Sequence, residues 1–141
     1  GRLSVVKESK HSRGGHPPQS VPALRTLTMP ADANPNGGIF GGWLMSQMDV
    51  AGGIHAYSLS GGRIATVAVD GMSFHLPVHI GDLISCHCVT ERTGTTSIAV
   101  KVETWVKRRA DGREEKVTEG LFTYVAIDAK GRPRPLPVGE S

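Results

Sequence analysis

The run Asn34-Pro35-Asn36-Gly37-Gly38-Ile39-Phe40-Gly41-Gly42-Trp43 holds the residue types most suited to chemistry. Asparagine, proline and glycine at this density make a turn rather than regular structure. The apolar spacing that follows predicts a helix opening at about Gly41. The first N–H groups of a helix have no intrahelical acceptor, and the macrodipole behind them favours negative charge. Glycine at 41 and 42 removes the side chains that would hold a ligand carbonyl away from those amides. A carbonyl becoming an oxyanion under attack is what such a place would stabilise, and one lost donor of this kind typically costs about 10²–10³ in rate. The same residues also suit a plain helix start with glycines for close packing. Composition alone leaves both readings open.

Other groups invite weaker readings. Asp32 occupies a turn position where aspartate often caps backbone amides. Asp49 falls two turns into the helix and is expected to make a packing or interface hydrogen bond. Asn34 and Asn36 could orient a water but not deprotonate it. His75, His79 and His87 lack the carboxylate spacing of a metal or acid–base site. Cys86 and Cys88 are two apart, on one face of a strand, with His87 facing the other way. Such neighbours rarely form a good disulfide, and no second cysteine pair offers a metal site, so free thiols in the cytoplasm and no metal are expected. Lys107-Arg108-Arg109 is a basic cluster at a strand end, suited to phosphate or to plain solvation.

The elements that must position these groups follow from hydrophobic periodicity. Leu24 to Met29 reads as a short strand stopped by Pro30. The helix extends from about Gly41 to Ser58, with Leu44, Met48, Ala51 and His55 on one stripe. Gly52-Gly53 within it should cost about 1 kcal/mol each relative to Ala, so its backbone is expected to press closely on a sheet. The period then changes to two. Arg63 to Met72 is nearly continuous Ile, Ala, Val and Thr, which predicts a central strand covered on both faces. Gly71 within that pattern predicts a bulge or a close ligand approach. Asp82–Arg92, Thr96–Arg108 and Lys116–Asp128 follow as strands joined by short turns, an antiparallel meander. Strand, long helix, then four strands is an α+β order, one helix wrapped by a curled antiparallel sheet of about five strands.

With 141 residues the chain supports one core. Residues 1–22 read as a flexible tail, 23–137 as one domain and 138–141 as a C-terminal tail. The net charge of +3 arises in residues 1–22, where Arg2, Lys7, Lys10 and Arg13 face Glu8 alone; the remainder balances. Aromatics are few, so nucleic-acid binding is not expected. No apolar run reaches the ~18–20 residues of a membrane helix, and no secretory leader is recognisable, so a membrane partner is not expected either.

Five segments in order, LRTLTMPADANPNG, IFGGWLMSQMD, VDGMSFHLPVHIGD, GTTSIAVKVETWVKR and TEGLFTYVAIDAKGRPRPLP, closely resemble the short bacterial acyl-CoA thioesterases of the YciA type. The resemblance covers about Leu24 to Pro137. It implies a hotdog fold, homodimers with shared active sites assembling as trimers of dimers, and hydrolysis of acyl-CoA to free acid and coenzyme A. No cofactor is required; coenzyme A is the substrate and product ligand. By the same resemblance Gly42 offers its amide to the thioester carbonyl, and the family's catalytic acid falls on Gly38, with Asn34 and Asn36 close by. Glycine can act neither as base nor as nucleophile, which implies an impaired hydrolase or, alternatively, a non-hydrolytic acyl-CoA-binding protein. The loss of a general base typically costs about 10²–10⁴ in rate. Phe40, Gly41, Gly71, Met72 and Ser73 are expected to line the ligand site. Gly94, Thr95, Thr96 and Ser97 are expected along the pantetheine arm, and Lys107 and Arg108 at the phosphates.

Overall fold

The computed structural model describes residues 15–137. The expected tails therefore lie partly outside the described residues; residues 15–23 form neither helix nor strand up to β1. Strand β1 (Leu24–Leu27) leads through a 3₁₀ turn at Pro30–Asp32 to helix α1 (Gly41–Ser60). Strands β2 (Ile64–Phe74), β3 (Leu83–Thr93), β4 (Ser97–Lys107) and β5 (Glu114–Ala126) complete the chain. All neighbours pair antiparallel in one sheet of order β1-β3-β4-β5-β2.

The helix runs to Ser60 because nothing in Tyr57–Ser60 opposes it; Gly61, at φ 72°, then ends it in the left-handed conformation with its N–H on Tyr57 O. Its buried stripe of Leu44, Met48, Ala51 and Ala56 packs on Ile84 and Cys86 of β3, Ile98, Val100 and Val102 of β4, and Phe122 and Tyr124 of β5. Gly52 is where helix and sheet approach most closely. A Cβ there would land on the Tyr124 hydroxyl and lie 3.0 Å from its Cζ. The expectation of a helix backbone pressed on the sheet therefore holds at Gly52, whereas Gly53 has ordinary clearance from Ile64.

One expectation needs correcting. Strand β2 is not central but an edge strand: it pairs with β5 alone and leaves Val67 57 % exposed. An unbroken β-branched run signals burial of both faces only when something covers them. Here the second side of β2 has no cover among the described residues. The irregularity expected at Gly71 is present, with φ 61° and a register shift between Asp70 and Ser73.

Candidate active site at the loop-to-helix junction

Asn34 organises the loop before α1. Its Oδ1 accepts from the backbone N–H of Asn36 (2.9 Å) and of Gly38 (3.2 Å), which fixes the amide and leaves Nδ2 as a spare donor. The loop is pinned from both sides. Asn34 N–H donates to Gly38 O, Ile39 N–H donates to Val78 O, and Gly38 bridges His79. Asn36 contributes only its backbone N–H to this network.

Phe40 is the N-cap of α1 and offers no side-chain acceptor. Its carbonyl takes the N–H groups of Trp43 and Leu44, so among the described residues the amides of Gly41 and Gly42 have no acceptor. Space is open above Gly42, while a Cβ at Gly41 would meet the Phe74 ring at 3.4 Å. Two free amides, a helix dipole and no side chain form a ready receptor for a developing oxyanion. A pocket of about 340 Å³ adjoins them, walled by Ile39, Leu44, Phe74, Leu76 and Val78.

The carboxylates lie elsewhere. Asp49 is half-buried on α1, its Oδ1 accepting from Thr66 Oγ1 (2.8 Å) and Tyr124 Oη (3.1 Å). Burial, reinforced by Asp49, pushes the Tyr124 phenol well above its ordinary range, so it stays a donor. Asp32 accepts from Met29 N–H and closes its own turn. At Gly38 an added Cβ would touch only the Asn34 amide, at 3.6 Å.

The other expected ligand residues divide between two ends of the sheet. Lys107 is exposed at the end that carries Gly42. Arg108 is engaged in structure, with Nη1 on Asp82 (2.9 Å) and Nε on Glu115 (2.8 Å). Arg109 instead lies along Gly81, beside His79, in a cavity of about 600 Å³ that Arg113 also lines. Gly71 and Ser73 border a smaller cleft with Lys101 and Glu119. Met72 turns inward beneath Gly120. Gly94, Thr95, Thr96 and Ser97 form the β3–β4 turn, whose Thr95 and Thr96 carbonyls receive Leu136 and Ala126 N–H. That turn is at the opposite end of the sheet from Gly42 within one chain, because Ser97 pairs with Val125 whereas Phe74 pairs with Thr118.

The histidines are structural neighbours rather than a cluster. His75 Nε2 meets Glu119 at 3.1 Å, and burial lowers the pKa of His87. No group of three or more metal-ligating side chains occurs among the described residues. Nor is any described helix long and apolar enough to cross a membrane. Sequence reasoning placed Asp49 on the helix but missed Thr66 and Tyr124 as its partners; contacts 17 and 75 residues apart leave no local signal.

The model of the thioesterase superfamily matches residues 36–112, a span that contains the Gly41–Gly42 junction and Asp49. The chain belongs to this superfamily. It is 54 % identical over 124 residues to the acyl-CoA thioester hydrolase YciA of Salmonella typhimurium, covering 86 % of this chain and 93 % of the relative. Among solved structures it resembles the hexameric thioesterase y2039 of Yersinia pestis at 52 % identity and TM-score 0.82, over 86 % and 99 % of the two chains. It also matches HI0827, a hexameric broad-specificity acyl-coenzyme A thioesterase, at 46 % identity and TM-score 0.82, over 89 % and 87 % of the chains. That protein has also been solved as an aspartate-to-alanine mutant enzyme. For this thioesterase-superfamily chain, one long helix against a curled five-stranded antiparallel sheet is the hotdog fold.

Proposed function

We propose that the chain is a cytoplasmic acyl-CoA thioester hydrolase that works as a dimer joined through β2, three such dimers forming a hexamer. The observation that carries this reading is the uncapped helix start, where the Gly41 and Gly42 amides stand free beside the fixed Asn34 amide. The hydrolases and hexamers among its relatives support it.

Within one chain the parts are too far apart to act together. Seven residues of helix separate Gly42 from Asp49, about 10 Å at 1.5 Å per residue. A two-fold axis through β2 resolves this. It sets the helices antiparallel, and an axis passing near Met45–Ser46 brings Asp49 of the partner subunit opposite Gly42. The same operation carries the partner's Gly94–Ser97 turn to the end where Gly42 and Lys107 lie. In this arrangement Asp49 takes a proton from water as the water oxygen attacks the thioester carbonyl. Gly42 N–H and Asn34 Nδ2 hold the oxyanion. Collapse expels the coenzyme A thiolate, which recovers the proton from Asp49. Lys107, with Arg109 in place of the engaged Arg108, receives the phosphates.

A second reading keeps Gly38 as the position of a lost acid, leaving a slow enzyme or a binding protein. The room for a Cβ beside Asn34 favours it. Steady-state hydrolysis of a medium-chain acyl-CoA, with coenzyme A binding measured in parallel, separates the two. Asp49 as general base requires Asp49→Asn to lose about 10²–10⁴ in kcat while coenzyme A still binds, and Gly38→Asp to change little. A gain of about 10² or more in Gly38→Asp, with Asp49→Asn unaffected, makes Gly38 the lost catalytic position. Absence of both hydrolysis and coenzyme A binding in the unaltered chain ends the thioesterase reading.

A further inference from the structure

Two apolar recesses flank β2 at its opposite ends. The first, already described, lies at its Phe74 end against the Gly41 amide. The second, of about 480 Å³, lies at its Ile64 end and is lined by Val50, Gly53, Ile54, Tyr57, Ile64 and Ile127. Val50, Ile54 and Tyr57 follow one another along one face of α1 and are each at least half exposed, an unusual amount of bare apolar side chain for a helix already packed on a sheet. The stripe begins one residue after Asp49. Its polar lining is limited to Arg63, whose guanidinium turns away to the carbonyls of Asp128 and Ala129.

Antiparallel pairing of two β2 strands sets Ile64 of one copy against Phe74 of the other. The Tyr57 recess of one protomer then meets the Phe74 recess of its partner, with the Gly41–Gly42 amides in one wall and Asp49 in the other. We infer that Tyr57 closes the far end of the acyl channel these two half-sites form and so sets the acyl length. This rests on the dimeric hydrolase reading above and adds to it a substrate class.

The helix supplies the scale. Asp49 to Tyr57 is eight residues, about 12 Å of helix. A zigzag hydrocarbon of ~1.5 Å bonds advances about 1.25 Å per carbon, so roughly eight to ten carbons fill the stretch. Medium-chain acyl-CoA is the expected preference. Each methylene buried in the channel should raise kcat/KM about three- to fourfold until Tyr57 is reached, after which the gain stops.

The test is kcat/KM across acetyl-, hexanoyl-, octanoyl-, decanoyl-, dodecanoyl- and palmitoyl-CoA, with oligomeric mass checked for every variant. The unaltered protein should peak at eight to ten carbons. Tyr57→Ala should raise the palmitoyl-to-octanoyl ratio about tenfold or more, and Tyr57→Trp should move the peak to shorter chains, both with mass unchanged. Phe74→Ala should alter the length profile too, since it lines the other half. An unshifted profile in both Tyr57 variants overturns the inference while leaving the hydrolase standing. A uniform rise in KM for every acyl length in Tyr57→Ala also overturns it, since the recess then serves the pantetheine arm. Loss of assembly in both Tyr57 variants makes this face a subunit contact and overturns it as well. If the unaltered chain hydrolyses none of the series, the hydrolase reading fails and takes this inference with it.

Discussion

Two adjacent glycines in α1 should respond to the same substitution with opposite signs. Gly52→Ala places a methyl where the Tyr124 hydroxyl sits, and within 3.0–3.1 Å of two further ring atoms. The Tyr124 side chain is fully buried between sheet and helix and cannot swing aside without opening the core. Its hydroxyl also donates to Asp49 O at 2.9 Å, a bond that displacement would break. Alanine gains about 1 kcal/mol in helix propensity over glycine. Against that stand about 1–3 kcal/mol of overpacking and about 1–3 kcal/mol for an unsatisfied buried polar group. The net is a loss of about 1–5 kcal/mol, or a Tm lower by about 3–20 °C for a domain of this size. At Gly53 a Cβ would lie 3.7 Å from Ile64, in ordinary contact, so Gly53→Ala should gain about 0.5–1 kcal/mol. Urea unfolding of both variants and of Gly52→Ala/Tyr124→Phe provides the assay. Removing the hydroxyl should recover at least 1 kcal/mol of the Gly52→Ala loss, a coupling that only direct contact explains. Gly52→Ala as stable as the unaltered chain, or a double variant that is simply additive, would refute the close-contact argument.

Asp82 is 3 % exposed and holds together the β1–β3 and β4–β5 ends through Arg108, His79 N–H and Arg109 N–H. Burial alone would raise its pKa, but those two amides and the guanidinium hold it below the usual carboxylate range. Its stabilisation is therefore complete above the ordinary aspartate pKa and is lost as pH falls through the depressed folded value. Asp82→Asn should cost about 3 kcal/mol at neutral pH and flatten the loss of stability below about pH 4; an unchanged acid limb would contradict this. Burial raises the thiol of Cys86 to about 11 and that of Cys88 to about 12. Both should react with a disulfide reagent at pH 8 only upon unfolding, and prompt labelling of the native protein would disprove it.

The alternation in β4 and the 3.6 period in α1 made both elements legible to within two residues, because each has one face on a single core. The run Ile64–Phe74 was harder. Valine and isoleucine report that a strand is apolar, not what covers it, so this edge strand reads like a central one. The basic cluster failed to resolve for a related reason. Lys107, Arg108 and Arg109 look alike in sequence, and only the approach of Asp82 and Glu115 determines that Arg108 is the guanidinium engaged in ion pairs. The helix start at Gly41 was visible, since the glycines that mark it are written in the sequence. Its distance from the Gly94–Ser97 turn was not, because that depends on strand order.

The position of β2 also governs how the chain can assemble itself in time. Ile64 pairs with Ala126, some sixty residues later, whereas β3, β4 and β5 meet across short turns. During synthesis β2 emerges well before β5 and must wait, with its backbone groups unmatched, until β5 supplies the strand on which it docks. The local hairpins can zip early, but the closing step is a long loop closure of the kind that slows folding. The strand that two copies would share is thus the last to find its place within one. A nascent chain stalled before β5 presents both edges of β2 to whatever is nearest.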